Sequence, residues 1–575
     1  MKTLNKYFIG IFALFFALSS CNEGIDPITA VDPGPDAGAP VVNIIKPLNG
    51  FEIQVPEPIT SVSIQINAQD DIELSLITIK LDGAEIASYS DFLDYRIVNQ
   101  EMVYDNVTTG DHILTVEATD IVGNITISTV NFSKVPPYTP LFNGETFYMN
   151  FDGSYTNLLT LTDATEVGSP GFSSIPKVGS GAYKGAANSY LTYPAAGLAQ
   201  GKEFSATFWL KIDASDTRAG IINMAPALPA GPSDKPSGFG LIREGSATSQ
   251  KFVLLVGNGT NATWVNPGAP ATIDPTLEEW VHFGISISES KASLYMNGEL
   301  AGESTFTGMN WEGVGNLAIM SGEPNFSGWN HKTEKGLMDE LRLFNVALTK
   351  QDIVKQIALS SQKFYMPFEG SFTDKVSKED ATEVGSPGFS TSAKVGNGAY
   401  KGAADSYLTF PSTDLAKGNE FSTTFWLKID GSDTRASIIN MAPALPAGPS
   451  DKPSGFGLIR EGSATAQKFI LLVGNGTNAT WVNPGAPATI DPTLNEWVHF
   501  GISISESKAT LYMNGALVGE SVFTGLNWTG VGDLAIMSGD PNFNGWNHKT
   551  EKGLMDELRI FNKALSLEEV QAIYN

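Results

Sequence analysis

Tryptophans in polar loops are the residues best suited to chemistry in this chain of 575 residues. Three of them lie among Gly, Asn and Pro, in TNATWVNPG, TGMNWEG and NFSGWNHK. A tryptophan in such surroundings is costly to expose unless it packs or binds. An indole stacks on the apolar face of a sugar ring, and Asn and His side chains can hydrogen-bond its hydroxyls. These loops predict glycan contacts by Trp264, Trp311, Trp329, Asn330 and His331.

The tryptophan loops belong to a long tandem repeat. Residues 148–358 align without a gap with residues 365–575, 217 positions later, and 164 of the 211 aligned positions are identical. At about 210 residues each copy is a domain in itself, not a solenoid unit. The alternative for every loop tryptophan is packing against the edge of its own domain. The second copy repeats the predicted contacts at Trp481, Trp528, Trp546, Asn547 and His548.

One arginine stands inside an apolar strand pattern, GFGLIREG, in each copy. If Leu241 points inward, Arg243 shares its face, because side chains alternate along a strand. Arg243 and its counterpart Arg460 are therefore further candidates for binding. The alternative is a solvent-facing arginine that pairs with Glu244 or Asp234.

Charge and cysteine content exclude several functions. The formal net charge is −26, and a nucleic-acid partner would require a basic face that the sequence does not contain. The chain has one cysteine, Cys21, which excludes an internal disulfide and a cysteine metal cluster. The remaining acidic surface is explained by solubility.

The N-terminus is typical of an exported protein. Two lysines precede an apolar run at 8–18, which is too short to span a bilayer. The LSSC sequence that ends at Cys21 resembles a bacterial lipoprotein signal. The resemblance implies a signal peptide at 1–20, a lipid anchor on Cys21, and a location in the cell envelope, at the outer membrane, facing either the cell surface or the periplasm. The alternative is an ordinary secretory signal in which the cysteine has no role. Residues 21–40 are acidic and rich in proline, which predicts a stiff tether.

Residues 41–135 predict a small β-sandwich. Segments such as SVSIQINAQD and DHILTVEATD alternate apolar and polar residues, and Gly- or Asp-containing turns separate them. The phrase GDHILTVEATDIVGN resembles the late strands of bacterial immunoglobulin-like domains, which usually act as spacers.

Each repeat also consists mainly of short strands. FSATFWLKID, KFVLLVGNG, WVHFGISIS, ASLYMNG and LAIMSG are each bounded by turn residues. Only the end of each copy is helical, with Thr349 and Ser566 as N-caps. This pattern predicts two jelly rolls, at 141–358 and 363–575, and the short connection predicts that they are neighbours.

Five motifs carry a resemblance to laminin-G-like, concanavalin-A-like lectin domains. They are GAYKG with SYLTFP, FSTTFWLKI, EWVHF, LYMNGALVGE and KGLMDELRIFNKALSLEEV. The resemblance implies glycan binding and a structural calcium, with Asp339 and Asp152 as ligands in the first copy. The matching residues of the second copy are Asp556 and Glu369, and the Asp-to-Glu difference puts that second site in doubt.

The sequence favours binding over catalysis. Retaining glycanases of the same superfamily carry an E-x-D-x-x-E strand that sets the spacing of two carboxylates, and neither copy contains it. We therefore expect an all-β protein, with an immunoglobulin-like β-sandwich followed by two concanavalin-like jelly-roll sandwiches that bind polysaccharide. The alternatives are an adhesin or stalk with protein partners and, third, an enzyme with an unrecognised site.

Overall fold

The structure is a computed structural model that describes residues 36, 38–55, 57, 59–136, 138–227, 236–444, 454–543 and 546–575. The chain divides into two compact units between Pro136 and Pro137. Strands dominate both units, which confirms the predicted all-β fold class.

The first unit is a two-sheet β-sandwich. One sheet has the order β1-β3-β6, and the other has the order β2-β8-β7-β4-β5. Alternate side chains along β7 are buried, as the period-two sequence pattern predicts. The strands are β1 (Val41–Lys46), β2 (Phe51–Gln54), β3 (Ile59–Gln69), β4 (Leu74–Leu81), β5 (Ala84–Tyr89), β6 (Ile97–Thr108), β7 (Gly110–Asp120) and β8 (Ile125–Val135).

The first copy of the repeat begins in the second unit and ends in a helix. Its elements are β9 (Glu145–Met149), β10 (Thr156–Asn157), β11 (Thr162–Asp163), β12 (Thr165–Val167), β13 (Gly171–Ser173), β14 (Ala182–Lys184), β15 (Tyr190–Tyr193), β16 (Phe204–Lys211), β17 (Arg218–Met224), β18 (Ser237–Ser246), β19 (Ser249–Asn258), β20 (Ala262–Val265), β21 (Thr272–Ile273), β22 (Val281–Ile287), β23 (Lys291–Met296), β24 (Glu299–Thr305), β25 (Leu317–Ile319), β26 (Leu337–Phe344) and α1 (Lys350–Leu359).

The second copy has the same order of main elements. They are β27 (Gln362–Met366), β28 (Thr382–Val384), β29 (Gly388–Ser390), β30 (Ala399–Lys401), β31 (Tyr407–Phe410), β32 (Phe421–Lys428), β33 (Arg435–Met441), β34 (Ser454–Ser463), β35 (Ala466–Asn475), β36 (Ala479–Val482), β37 (Thr489–Ile490), β38 (Val498–Ile504), β39 (Lys508–Met513), β40 (Ala516–Val522), β41 (Leu534–Ile536), β42 (Leu554–Phe561) and α2 (Leu567–Tyr574).

Two sheets face each other in each copy. In the first copy, the front sheet has the order β12-β15-β25-β17-β18-β19-β20, and the back sheet has the order β13-β14-β26-β16-β22-β23-β24. Aromatic and aliphatic side chains from both sheets fill the space between them, and Phe208, Phe283 and Leu254 are fully buried there. The result is a jelly-roll sandwich, and the second copy repeats it.

A helix covers the outer surface of each back sheet. Helix α1 begins at the capping box of Thr349 and Asp352, and α2 begins at the equivalent box of Ser566 and Glu569, which confirms both predicted N-caps. Gly284 permits the close approach of α1, because a Cβ there would lie 2.8 Å from Cδ1 of Ile353.

The two copies pack against each other through these helices. Lys350 of α1 forms an ion pair of 2.8 Å with Glu568 of α2. Ala358, at the end of α1, is fully buried in a cluster with Phe561 and Val570 of the second copy. The predicted proximity of the copies is therefore a direct contact, in which α1 touches both jelly rolls.

Candidate functional site

The outer surface of the front sheet is apolar and covered by a loop. Strand alternation directs Leu254 into the core, whereas Val253 and Leu255 point outward and are still 2% and 1% exposed. Phe326 and Trp329 of the loop after β25 cover them. Gly240 makes room for this loop, because a Cβ there would lie 2.6 Å from Phe326.

Two tryptophans form a stacked pair at the edge of this surface. Trp264 lies on the edge strand β20, opposite Leu255, and is 39% exposed. Its ring centroid lies 5.5 Å from that of Trp329, with an angle of 21° between the planes. Phe326 supports Trp329 from behind at 5.2 Å. The edge strand therefore presents an exposed indole that is braced by a second one.

The second copy builds the same pair. Trp481 is 38% exposed, and its ring lies 5.5 Å from Trp546 with an angle of 21°. Phe543 takes the place of Phe326 at 5.3 Å from Trp546. We call Trp264 with Trp329, and Trp481 with Trp546, the tryptophan platforms.

Polar groups border the first platform. Asn330 is exposed next to Trp329, in a left-handed conformation with φ 59°. Arg218 donates a hydrogen bond of 3.4 Å to the carbonyl of Trp329 and forms an ion pair of 3.2 Å with Glu244. Lys251 reaches the same carboxylate at 3.2 Å. These charged groups can hydrogen-bond hydroxyls beside an indole.

Sequence reasoning did not select Arg218, Glu244 or Lys251 as binding residues. The available signal was alternation, because Glu244 follows Arg243 in a strand and must point to the opposite face. The same border exists in the second copy as Arg435, Glu461 and Lys468.

Arg243 and Arg460 lie in the interior, which corrects their selection as glycan contacts and also their alternative as solvent-facing arginines. Arg243 is 0% exposed and forms an ion pair with Glu334, which is also fully buried. Its guanidinium also donates to Gln250 Oε1 at 2.9 Å and to the carbonyl of Asp213 at 3.0 Å. Arg460 repeats these contacts with Glu551. Strand alternation placed Arg243 on the face of Leu241 as expected, and that face is the core.

His331 and His548 are buried beneath the platforms and do not face solvent. The exposed fraction of His331 is 2%, and neither ring nitrogen has a hydrogen-bond partner. Burial first, and then the charge of Arg218, lower the pKa of His331 to about 4. A neutral histidine packed under the loop supports Trp329 and cannot contact a sugar hydroxyl directly. His548 is equally buried, with a pKa of about 4.

Trp311 and Trp528 lie apart from the platforms. Trp311 packs on the central core, 5.4 Å from the ring of Phe204, and its Nε1 donates to the carbonyl of Gly201 at 3.0 Å. Trp528 makes the equivalent contacts with Phe421 and Gly418. These contacts correspond to the packing alternative for this pair.

The side chains proposed as calcium ligands are already engaged by backbone donors. Oδ2 of Asp339 accepts hydrogen bonds from the N–H groups of Lys177 and Val178 at 2.8 and 2.9 Å, while Oδ1 is buried without a partner. Oδ1 of Asp152 accepts the N–H of Gly181 at 2.8 Å. Calcium takes six to eight oxygen ligands, so these side chains fit it poorly.

The corresponding carboxylates of the second copy also accept hydrogen bonds from backbone N–H groups. Asp556 accepts from Lys394 and Val395, and Glu369 accepts from Asn397. Calcium stays a prediction for both copies. Within the described ranges, three carboxylates lie close enough together to share an ion as a group, those of Asp36, Asp70 and Asp71 in the first unit.

Comparison with known families identifies the repeats. The family model for the concanavalin A-like lectin/glucanases superfamily, of the laminin-G type, matches residues 184–354 and 401–571. These ranges contain more than half of the chain, and the chain belongs to this superfamily. A search of curated proteins found no match.

Several solved structures resemble parts of the chain. Domain 4 of AbnA, an extracellular arabinanase from Geobacillus stearothermophilus, is 17% identical with a TM-score of 0.29, over 37% of this chain and 98% of that one. Domains LG4-5 of the mouse laminin α1 chain are 13% identical with a TM-score of 0.23, over 69% and 92%. The CBM40 of a Ruminococcus gnavus sialidase, bound to sialyllactose, is 12% identical with a TM-score of 0.23, over 29% and 93%.

None of the helices in the described part of the chain has the length and apolar character needed to cross a membrane.

Proposed function

We propose that this protein binds polysaccharide without catalysis, through the tryptophan platforms of its two jelly rolls. The supporting observation is the exposed indole of Trp264, which a second indole braces in the same geometry in both copies. An exposed, rigid aromatic face beside charged and amide side chains suits a sugar ring, since the ring offers both C–H groups and hydroxyls. Asn330 and Asn547 are the exposed amides beside the two platforms.

Affinity electrophoresis through gels that contain single polysaccharides tests this proposal. We expect one polysaccharide to retard the full chain, and we expect Trp264→Ala with Trp481→Ala to abolish the retardation. Truncation of a central aromatic contact costs about 2 kcal/mol, or roughly thirtyfold in affinity. Trp329→Ala with Trp546→Ala should also abolish the retardation, because it removes the indole that braces Trp264 or Trp481 in each platform.

Leu277→Ala with Leu494→Ala is the matched control, because both leucines are 62% exposed and lie outside the platforms. The control should be retarded like the unchanged protein. Retardation that survives the loss of Trp264 and Trp481 would move the site elsewhere. If no polysaccharide of a broad panel retards the protein, the favoured function becomes that of an adhesin or a stalk.

We also propose that Cys21 anchors the protein by lipid in the outer membrane and that an immunoglobulin-like spacer separates the anchor from the jelly rolls. Cys21 lies outside the described residues, so the support is the LSSC sequence after an apolar run. In cells that process lipoproteins, the chain should partition into the detergent phase, and Cys21→Ser should move it to the aqueous phase. An unchanged partition of the variant would contradict the anchor.

A further inference from the structure

A cavity of about 480 Å³ lies where helix α1 meets the second copy. Its walls include Trp426, His499, Arg559 and Lys394 of the second copy, and Lys355 of α1. This volume falls within the range of sites for small molecules, about 300 to 1,000 Å³. We call it the interrepeat cavity. It is lined by the back sheet and the helices, whereas the tryptophan platforms lie on the front sheets.

The first copy shows how the equivalent arginine is satisfied. Arg342 lies at the position that Arg559 occupies in the second copy, and its Nη1 contacts Oε1 of Glu145 at 2.6 Å. The carboxylate of Glu145 is fully buried. The hydroxyl of Tyr138 accepts from the same guanidinium nitrogen at 2.6 Å, and Glu340 contacts Nη2 at 3.1 Å. An internal carboxylate therefore neutralises this arginine.

The second copy lacks that carboxylate. Gln362 replaces Glu145 at the same register of the sheet and gives Nη1 of Arg559 only an amide oxygen, at 2.8 Å. The second carboxylate is kept, because Glu557 contacts Nη2 at 2.7 Å. The loss of one acid leaves Arg559 with less compensating charge than Arg342 has.

Helix α1 of the first copy also brings a cation to Arg559. Lys355, which is 217 positions after Tyr138, lines the interrepeat cavity together with Arg559. Lys355 forms no ion pair with any residue that the structure describes. Burial first, and then the charge of Arg559, lower the pKa of Lys355. Lys394 lies 4.1 Å above the ring of Trp426, likewise without an ion pair among the described residues.

The charges around the cavity do not balance. Among the side chains that line the cavity, Lys355, Lys394 and Arg559 supply three cations, against the single carboxylate of Glu557. This excess of cations occurs in a chain whose formal net charge is −26. His499 is neutral, because burial and the charge of Lys394 lower its pKa to about 3, and its Nδ1 is buried without a partner.

We propose that the interrepeat cavity binds a small organic acid, whose carboxylate contacts Arg559 and Lys355 and takes the role that Glu145 fulfils in the first copy. A guanidinium and an ammonium together form strong, charge-assisted hydrogen bonds with a carboxylate. The volume suits an acid of about the size of a sugar. The acid is either a free small molecule or the acidic residue at the end of a glycan. The proposal does not depend on the tryptophan platforms.

Calorimetric titration of the full chain with D-glucuronate tests the proposal, and D-glucose is the neutral control. We expect glucuronate to bind and glucose not to bind. Gln362→Glu should abolish binding, because it supplies the carboxylate of the first copy from within, and it should not lower the melting temperature. Lys355→Gln should weaken binding by about tenfold or more, since it removes one charged hydrogen bond.

Lys363→Gln is the matched control for the loss of a lysine charge, because Lys363 is exposed and does not line the cavity. It should leave the affinity unchanged. An oligosaccharide with a terminal glucuronate identifies the source of the acid: binding comparable to that of the free acid indicates a glycan end, and much weaker binding indicates a free acid. The proposal is overturned if glucuronate fails to bind at about 10 mM, if glucose binds equally well, or if Gln362→Glu keeps its affinity.

Discussion

Arg243 is a charged residue in the interior of the first jelly roll. Its burial is tolerated because each of its guanidinium nitrogens donates to a hydrogen-bond acceptor there. Glu334 neutralises it, and Gln250 and two backbone carbonyls accept its remaining hydrogen bonds. A buried charge is tolerated when it is paired and hydrogen-bonded. The pair ties β18 to the segment before β26, and the second copy has the same pair in Arg460 and Glu551.

We therefore expect Arg243→Ala to lower the free energy of unfolding by about 3 to 5 kcal/mol, because Glu334 would stay buried without its partner. Arg218→Ala is the control, since Arg218 is 48% exposed in its side chain and its ion pair contributes about 0 to 1 kcal/mol. Urea denaturation of both variants measures the difference. Equal effects of the two substitutions would show that the buried pair has no special role.

Asp339 gives a prediction about pH. Burial raises the pKa of Asp339 to about 8, well above the usual range of an aspartate. The folded protein therefore keeps a proton that the unfolded chain releases, and this group's contribution to stability falls as the pH rises from about 4 to 8. Asp339→Asn should remove that dependence, and its melting temperature relative to the unchanged protein should be higher at pH 8 than at pH 4.5.

Calcium at Asp339 would reverse this order, because the ion needs the ionised carboxylate. In that case, calcium would stabilise the unchanged protein at pH 8, chelation would remove the effect, and Asp339→Asn would not respond. Asp556 should behave like Asp339 over a narrower pH range, since burial raises its pKa to about 6.

The sequence identified tryptophans in polar loops as binding candidates, but it could not show which of them are exposed in the platforms and which pack on the core. Six loop tryptophans have similar polar neighbours, yet Trp311 and Trp528 reach the central core while the other four stack on the front sheets. The pairing of Trp264 with Trp329 depends on strand order and on the path of one loop, and neither has a local signature. The burial of His331 has the same cause, because it depends on which face of the loop meets the sheet.

At the scale of elements, helix α1 holds the two jelly rolls together. Its inner surface packs on the back sheet of the first copy through Ile353, and its end packs on the second copy through Ala358. The sequence predicted the strands within each copy and the starts of both helices. It could not predict that one helix serves both domains, because an amphipathic pattern shows which face is apolar and not what covers it.

Ala358→Asp should separate the copies without unfolding them, because it places a charge in a fully buried apolar cluster. The expected result is faster cleavage by trypsin at Lys363, which yields two fragments that each resist further digestion. Lys350→Ala removes an exposed ion pair of the same helix and is the control, with little effect expected. Rapid digestion of the whole second unit would instead mean that the domains themselves had unfolded.

At the scale of the whole molecule, two platforms on one chain should act together. Linked weak sites raise the apparent affinity through effective concentration, by about 10²-fold when both engage one polymer. Trp481→Ala alone should therefore strongly weaken the affinity for a long polysaccharide. For a short oligosaccharide, only the number of molecules bound per chain should fall, by about half. Electrophoresis and calorimetry on the two lengths distinguish these effects, and Trp264→Ala should give the same result. Equal loss on both lengths would show that the platforms act separately.

The position of α1 between the copies affects how the sequences of the two copies can diverge. The strand VHFGISI is unchanged between the copies, whereas KQDIVKQIA at 350–358 and LEEVQAIYN at 567–575 differ at every position. The contact gives the two helices different neighbours, because Ala358 of α1 is buried against the second copy whereas its counterpart at the end of α2, Asn575, is exposed, so one sequence does not suit both places. The strand VHFGISI packs into the same kind of core in both copies, where Phe283 and Phe500 are fully buried, and it has stayed alike. After the duplication, the two copies diverged in sequence at the helices where they touch. A binding property that only the second copy has can arise at this contact.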